Sequence, residues 1–142
     1  MTDHPATAAT DISASPERVW TVLTDPEQIR RFMFGAEVRT DWRVGSAIVW
    51  KGEYQGRPYE DRGTILAVEP GRLLRMTHFS PLGGLPDVPE NYHTLTYELS
   101  GNATATHLSL TQDNNASEEA AAHARGMWES HVGGIKAAAE QG

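Results

Sequence analysis

The sequence predicts an α+β domain: a curved antiparallel sheet wrapped around one long C-terminal helix, with two short helices after the first strand. Three features carry that reading. Two helix-start signals stand back to back between Ser15 and Gln28. Apolar and polar residues then alternate from Ala36 to Thr111, and an apolar stripe at helical spacing follows Ser117.

Each element has a local reason. Thr7 to Ser13 reads as the first strand. Ser15-Pro16-Glu17 supplies an N-cap, a proline at the first helical position and an acidic first turn, and Val19, Trp20 and Leu23 form the buried side. Asp25-Pro26-Glu27-Gln28 repeats the signal, with Asp25 and Gln28 at capping-box spacing and Gly35 as the stop. In the alternating region Pro70-Gly71 reads as a type II turn, setting Val68 opposite Leu73, Ile65 opposite Met76 and Gly63 opposite His78. Gly101-Asn102 reads as a two-residue hairpin turn, setting Leu99 opposite Thr104, Tyr97 opposite Thr106 and Leu95 opposite Leu108. A turn at Gln55-Gly56-Arg57-Pro58 puts Trp50 opposite Gly63.

Chained together, these pairings gather Ile48, Trp50, Tyr54, Ile65, Ala67, Leu74, Met76, Leu95, Tyr97, Leu108 and Leu110 on one face. Lys51, Glu53, Arg62, Arg75, Thr96 and Glu98 fall on the other, as in a sheet that is wet on one side. Leu66, Val68 and Leu73 break the alternation, as a minor core or a homodimer patch would. Ser117 caps the final helix, Glu118 and Glu119 sit in its positive first turn, and its stripe reads Ala120, Ala124, Met127, Trp128, His131, Ile135 and Ala138. Gly134 at the stripe's edge suits close approach to the sheet. Gly133-Gly134 weakens the helix by about 1 kcal/mol per glycine, enough for a kink.

The 142 residues fit one domain, 1–142, with a core that needs no staples. There is no cysteine, so disulfides and thiolate metal sites are excluded. MTDHPATAAT does not read as a signal peptide, and no apolar run approaches the roughly 18 residues of a membrane span, so a cytoplasmic protein is expected. A net charge of −7 argues against a nucleic-acid backbone binder. There is no G-x-S-x-G, and Gly83-Gly84 does not lead from a strand into a helix as a phosphate loop does.

Four stretches, ISASPERVWTVLTDPEQIRRF, Trp42-Arg43-Val44-Gly45, GTILAVEPGRLLRMTH and MWESHVGGIKAAAE, resemble the SRPBCC superfamily in the expected order. This is the START and birch-pollen-allergen-like helix-grip fold, and the branch looks like the heat-shock ATPase activator-like domains. The resemblance implies a cavity between the C-terminal helix and the concave sheet. It implies no single chemistry: lipid and polyketide binders, cyclases, hydroxylase domains and chaperone cofactors all belong, without a shared catalytic motif. His78 departs from the branch, where tryptophan often follows the position of Thr77.

The segment from Ser80 to Asn91, with Pro81, Pro86, Pro89 and Gly83-Gly84, is long for a small domain and suits a cavity entrance or lid; a rigid surface loop fits equally. Treating it as a hairpin sets His78 opposite His93 on the inner face, with Asp61 and Tyr54 near the same end and His131 facing them from the helix. Imidazoles, a carboxylate and a phenol can hold a polar head group or move protons near neutral pH. Each histidine suits a rim position bonded to backbone or water as well, and one residue of slip would turn His93 outward. The histidines lack metal-ligand spacing, so neither metal nor cofactor is expected.

The expected binding set is Trp50, Tyr54, Asp61, Met76, His78, His93, Leu95, Tyr97, Trp128, His131 and Ile135, around a small hydrophobic or amphipathic molecule; no catalytic residue is assigned. Two alternatives stand beside it. One is an acid/base enzyme of cyclase or hydratase type using Asp61, His78, His93 or His131. The other is a chaperone-interacting or stress-related module that docks through a patch such as Leu66, Val68 and Leu73. The expected partners are a small molecule and a second copy of the chain, not nucleic acid or membrane.

Overall fold

The structure, a computed structural model, describes residues 4–33, 35–81 and 84–141, with Tyr54 described by its backbone alone. The elements run β1 (Ala6–Ile12), α1 (Pro16–Thr24), α2 (Pro26–Phe32), β2 (Glu37–Arg39), β3 (Ala47–Tyr54), β4 (Arg57–Glu69), β5 (Leu73–His78), β6 (His93–Asn102), β7 (Ala105–Gln112) and α3 (Glu118–Glu140). The strands form a seven-stranded sheet in the order β1-β7-β6-β5-β4-β3-β2, every pair antiparallel. This is the helix-grip α+β arrangement. Ile48, Ile65, Leu74, Leu108 and Leu110 are fully buried against Val19, Val22 and Ile135 of the helices. No described helix is long and apolar enough to cross a membrane.

The caps follow the local chemistry. Ser15 Oγ accepts from the Arg18 N–H at 3.2 Å, and Ser117 Oγ from the Ala120 N–H at 3.1 Å. Asp25 accepts from the Glu27 N–H at 3.0 Å, but the expected capping box with Gln28 does not form. Asp25 also ends α1, and its own N–H is already given to the Thr21 carbonyl, so Gln28 has no donor to reach back to.

Three pairings differ from the sequence expectation. The β3–β4 turn is Gln55-Gly56, both at positive φ (51° and 78°), which closes a two-residue hairpin and sets Trp50 opposite Asp61 and Ile48 opposite Gly63. The β6–β7 turn is Ala103-Thr104: Asn102 Oδ1 accepts from the N–H groups of Thr104 and Ala105 and from the Thr104 hydroxyl, and Tyr97 therefore faces Leu110 and Leu95 faces Gln112. Both slips are even-numbered, so the inner face keeps its membership. Between β4 and β5, Ile65 pairs with Met76 as expected, but a bulge before Ala67 then sets Val68 opposite Leu74 and Ala67 opposite Arg75. The extra residue reverses the parity beyond it. Val68 packs on the core, Leu66 is left 43% exposed, and the patch of Leu66, Val68 and Leu73 is not formed.

α3 runs from Glu118 to Glu140 as one helix. Its buried line is Ala121, Ala124, Val132, Ile135, Ala138 and Ala139, which leaves Met127 52% exposed rather than in the stripe. The close approach at Gly134 is to α2 and not to the sheet: a Cβ there would stand 3.0 Å from that of Phe32.

Candidate ligand pocket

A pocket of about 470 Å³ opens where the far ends of β4, β5 and β6 meet α3. Its position begins with a glycine. A side chain at Gly63 would strike the Thr77 carbonyl at 1.8 Å, so β4 and β5 run close here, and the Thr77 hydroxyl accepts from the Thr64 N–H at 2.8 Å. That approach delivers Asp61 of β4 to His78 of β5, with Oδ2 and Nε2 2.9 Å apart. The rings of Trp50 and His78 pack in a T-shaped arrangement, 5.1 Å between centres. The carboxylate accepts, so the Nε2 proton belongs to His78. Asp61 Oδ1 and His78 Nδ1 are buried without a partner.

His78 pairs with His93 across β5 and β6. His93 Nδ1 lies 2.8 Å from the Asp113 carbonyl, which can only accept, so Nδ1 carries the proton and the neutral ring keeps Nε2 as its acceptor. Facing these groups, Trp128 of α3 gives its indole N–H to Gln112 Oε1 at 3.1 Å, Gln112 gives its amide to Asn115 at 2.7 Å, and Asn115 gives its own to the His4 carbonyl at 2.6 Å. Gln112 and Asn115 are both buried, so this amide relay locks the indole in place.

Behind Trp128 lies His131. Its ring meets those of Phe32 and Trp128 edge-on at 5.2 and 5.1 Å, and its Nε2 lies 2.9 Å from the Tyr97 hydroxyl. Burial pushes the imidazole down to about 4 and the phenol up, so both stay neutral near pH 7. Tyr59, on the pocket wall, is also raised, first by burial and then by the charge of Asp61.

Of the expected set, Asp61, His78, His93 and Trp128 line the pocket. Trp50 supports His78 from behind. Met76, Leu95, Tyr97 and Ile135 are core side chains, at most 7% exposed, and His131 lies behind Trp128, partly buried and away from the pocket wall. The side chain of Tyr54 lies outside the described residues. Beneath Tyr97 the space left among Trp50, Met76, Phe32 and their neighbours is only about 20 Å³. The deep interior cavity is thus filled, and the usable room lies at the mouth of the sheet.

The expected set left out Met33, Tyr59, Phe79, Gln112 and Met127 on the wall, and also Ser80, Leu85 and Asn91, which belong to the segment read as a cavity entrance. Tyr59 was readable, since it shares strand parity with Asp61. Phe79 was not, because β5 ends at His78 and Phe79 is held by a bridge to Arg62 and a stack on Tyr92 at 5.1 Å. The segment after Phe79 borders the entrance through Ser80, Leu85 and Asn91. It is tied down by the Asn91 amide on the Pro86 carbonyl, by Asn114 on the Glu90 and Tyr92 carbonyls, and by an Arg62–Asp87 ion pair at 3.3 Å, which favours a fixed wall over a hinge. Gly83 lies outside the described residues. A more open hollow of about 530 Å³ beside Pro26 and Trp42 has no histidine and no apolar wall of this extent.

Residues 13–140 match the sequence model of the family described as Activator of Hsp90 ATPase homolog 1-like protein. The chain belongs to that family. ChR145 from Cytophaga hutchinsonii, a solution structure, is 45% identical to this activator-homologue-like chain, covers 94% of it over 91% of its own length, and has a TM-score of 0.82. Two remoter structures share the fold. The Aha1 dimer from Colwellia psychrerythraea is 19% identical with a TM-score of 0.73 over 96% of each chain. DynU16, from the dynemicin biosynthetic locus, is 18% identical with a TM-score of 0.74 over 94% of this chain and 46% of its own. No curated protein matches the chain. Every pocket residue of this Activator of Hsp90 ATPase homolog 1-like chain falls inside the matched stretch. Among its described residues no group of three or more histidine and acidic side chains is arranged to hold a metal ion.

Proposed function

We propose that this chain binds a small, largely apolar molecule in the pocket between α3 and the ends of β4, β5 and β6, with the polar end of that molecule against Asp61, His78 and His93. One observation carries the reading. Two of the large apolar side chains that stand exposed, Leu85 at 59% and Met127 at 52%, flank a single pocket whose wall holds a partly buried histidine–carboxylate pair. A volume of about 470 Å³ falls in the ~300–1,000 Å³ range of small-molecule sites. The fold of the family supports a ligand-binding role.

The test is a library of aromatic and aliphatic compounds screened by thermal shift, with hits titrated against the wild type and Met127→Glu. Saturable binding, on the order of micromolar for a drug-sized apolar ligand, should weaken at least about tenfold in the variant. Binding that ignores both Met127→Glu and Leu85→Glu removes the pocket from the account.

Acid/base turnover is the second reading, favoured by the 2.9 Å contact between Asp61 and His78 beside the apolar wall. Its test is exchange of an enolisable proton in D₂O, followed by NMR with ketone probes. Exchange no faster than in Asp61→Asn argues against it. A chaperone-docking role has less support, because Val68 packs against the core and so leaves Leu66 and Leu73 without the third member of the suggested patch.

A further inference from the structure

The polar atoms that border the pocket are strongly one-sided, and from this we infer that the site selects a head group that donates hydrogen bonds and carries positive charge: an amine or amidine on an apolar body. The inference rests on the pocket reading above and goes beyond it to the chemistry of the ligand.

Most of the donors at the wall are engaged, Gln112 and Asn91 each through one amide hydrogen. Trp128 gives its N–H to Gln112, Gln112 gives its amide to Asn115, and Asn91 gives its amide to the Pro86 carbonyl. Among the described residues no lysine or arginine lines the pocket. Arg62, next to Asp61 in the chain, alternates to the other face of β4 and pairs with Asp87 at 3.3 Å.

The groups left without a partner are mainly acceptors. In the tautomer whose Nε2 proton is directed at Asp61 Oδ2, the uncharged His78 ring has Nδ1 as an acceptor, and that atom is buried and unpartnered. Asp61 Oδ1 is likewise buried and unpartnered. His93, with Nδ1–H spent on the Asp113 carbonyl, adds Nε2. Tyr59 and Ser80 contribute hydroxyls, which serve either role. A buried carboxylate oxygen without a donor is a costly group, and a charged N–H donor is its strongest partner. The rings of Tyr59, Phe79 and Trp128 line the same space and favour a cation over an anion. A carboxylate head group would meet the charge of Asp61 with no cation on the wall to offset it.

The experiment compares probes that share one apolar body: 1-naphthylmethylamine, 1-naphthalenemethanol and 1-naphthoic acid, titrated calorimetrically near pH 7 into the wild type and Asp61→Asn. The amine should bind about tenfold or more tighter than the alcohol, and the acid should bind weakest. Asp61→Asn should erase the advantage of the amine over the alcohol. If the alcohol matches the amine, or the acid binds best, the head-group assignment is wrong while the pocket stands. If none of the probes binds the wild type, the pocket reading falls and this inference falls with it. The wild-type series decides the matter even if Asp61→Asn does not fold.

Discussion

His131 on α3 and Tyr97 on β6 meet with the imidazole Nε2 2.9 Å from the phenol oxygen, under the rings of Phe32 and Trp128. This contact is a plug. It fills the space where the long helix crosses the sheet and leaves a void of only about 20 Å³ beneath it, so the pocket forms on the outer side of Trp128. Four ring-bearing side chains and one hydrogen bond thereby separate a solid core from a ligand site a few residues away.

The plug predicts a pH dependence of stability. Burial holds His131 down to about 4 in the folded protein, whereas the unfolded chain titrates near the ordinary value of about 6.5. As pH falls, the unfolded state therefore takes up the proton first. The contribution of the buried neutral imidazole is fully present above about 6.5, shrinks below it, and is gone near 4, for a total on the order of 3 kcal/mol. His131→Gln keeps a partner for the Tyr97 hydroxyl and does not titrate. Urea midpoints between pH 7 and pH 4.5 should fall less steeply in the variant than in the wild type. Equal slopes would show that His131 is not the titrating group.

Gly63 predicts a hard limit on substitution. The atom that a new Cβ would strike, at 1.8 Å, is the Thr77 backbone carbonyl, which cannot move without separating β4 from β5. Gly63→Ala should cost at least about 3 kcal/mol or prevent folding. At Gly52 the obstacle is the far end of the Tyr59 side chain at 2.6 Å, which can swing aside, so Gly52→Ala should fold and lose less. Urea denaturation of both variants checks the order; a milder Gly63→Ala would contradict it.

The fold was legible because its signals are local and redundant. Ser15, Asp25 and Ser117 act as caps in the structure, and even where two hairpin registers slipped, each slip was even-numbered and returned the same inner face. The bulge before Ala67 was not legible, since nothing in Ile65-Leu66-Ala67 separates an inserted residue from an alternating one, and it reversed Val68. The site was half legible for the same reason. The pairing of His78 with His93 and the nearness of Asp61 follow from strand parity. Whether Tyr97 and Met76 border empty space or fill it depends on side-chain volumes summed over several elements, which no periodicity reports. Leu85 and Met127 belong to a loop and to the flank of a stripe, where pattern is silent.

The paired glycines of α3 predict opposite responses to alanine. Nothing lies within 4 Å of a Cβ built on Gly133, so Gly133→Ala should gain the helix-propensity difference of about 1 kcal/mol. A Cβ on Gly134 would sit 3.0 Å from that of Phe32, so Gly134→Ala must push α2 outward and should forfeit that gain. Thermal midpoints of the two single variants provide the measurement. A rise at both positions would mean that α2 yields freely, and that Met33, which continues from it into the pocket wall, is not firmly held.

Adjacent residues on α3 should separate the rim of the pocket from its support. Met127 is half exposed and has no polar role, so Met127→Glu should change stability by no more than about 0.5 kcal/mol while weakening an apolar ligand. Trp128→Phe keeps most of the ring but removes the indole N–H, and Gln112 Oε1 is then left buried without its donor. That orphan should cost about 1–3 kcal/mol. Because the amide relay also fixes the ring that closes over His131, the loss at Trp128 should come with weaker ligand binding as well. Denaturation and titration of the two variants side by side give the answer: stability lost at 127 and kept at 128 would mean that the pocket is bounded by a different face of the helix.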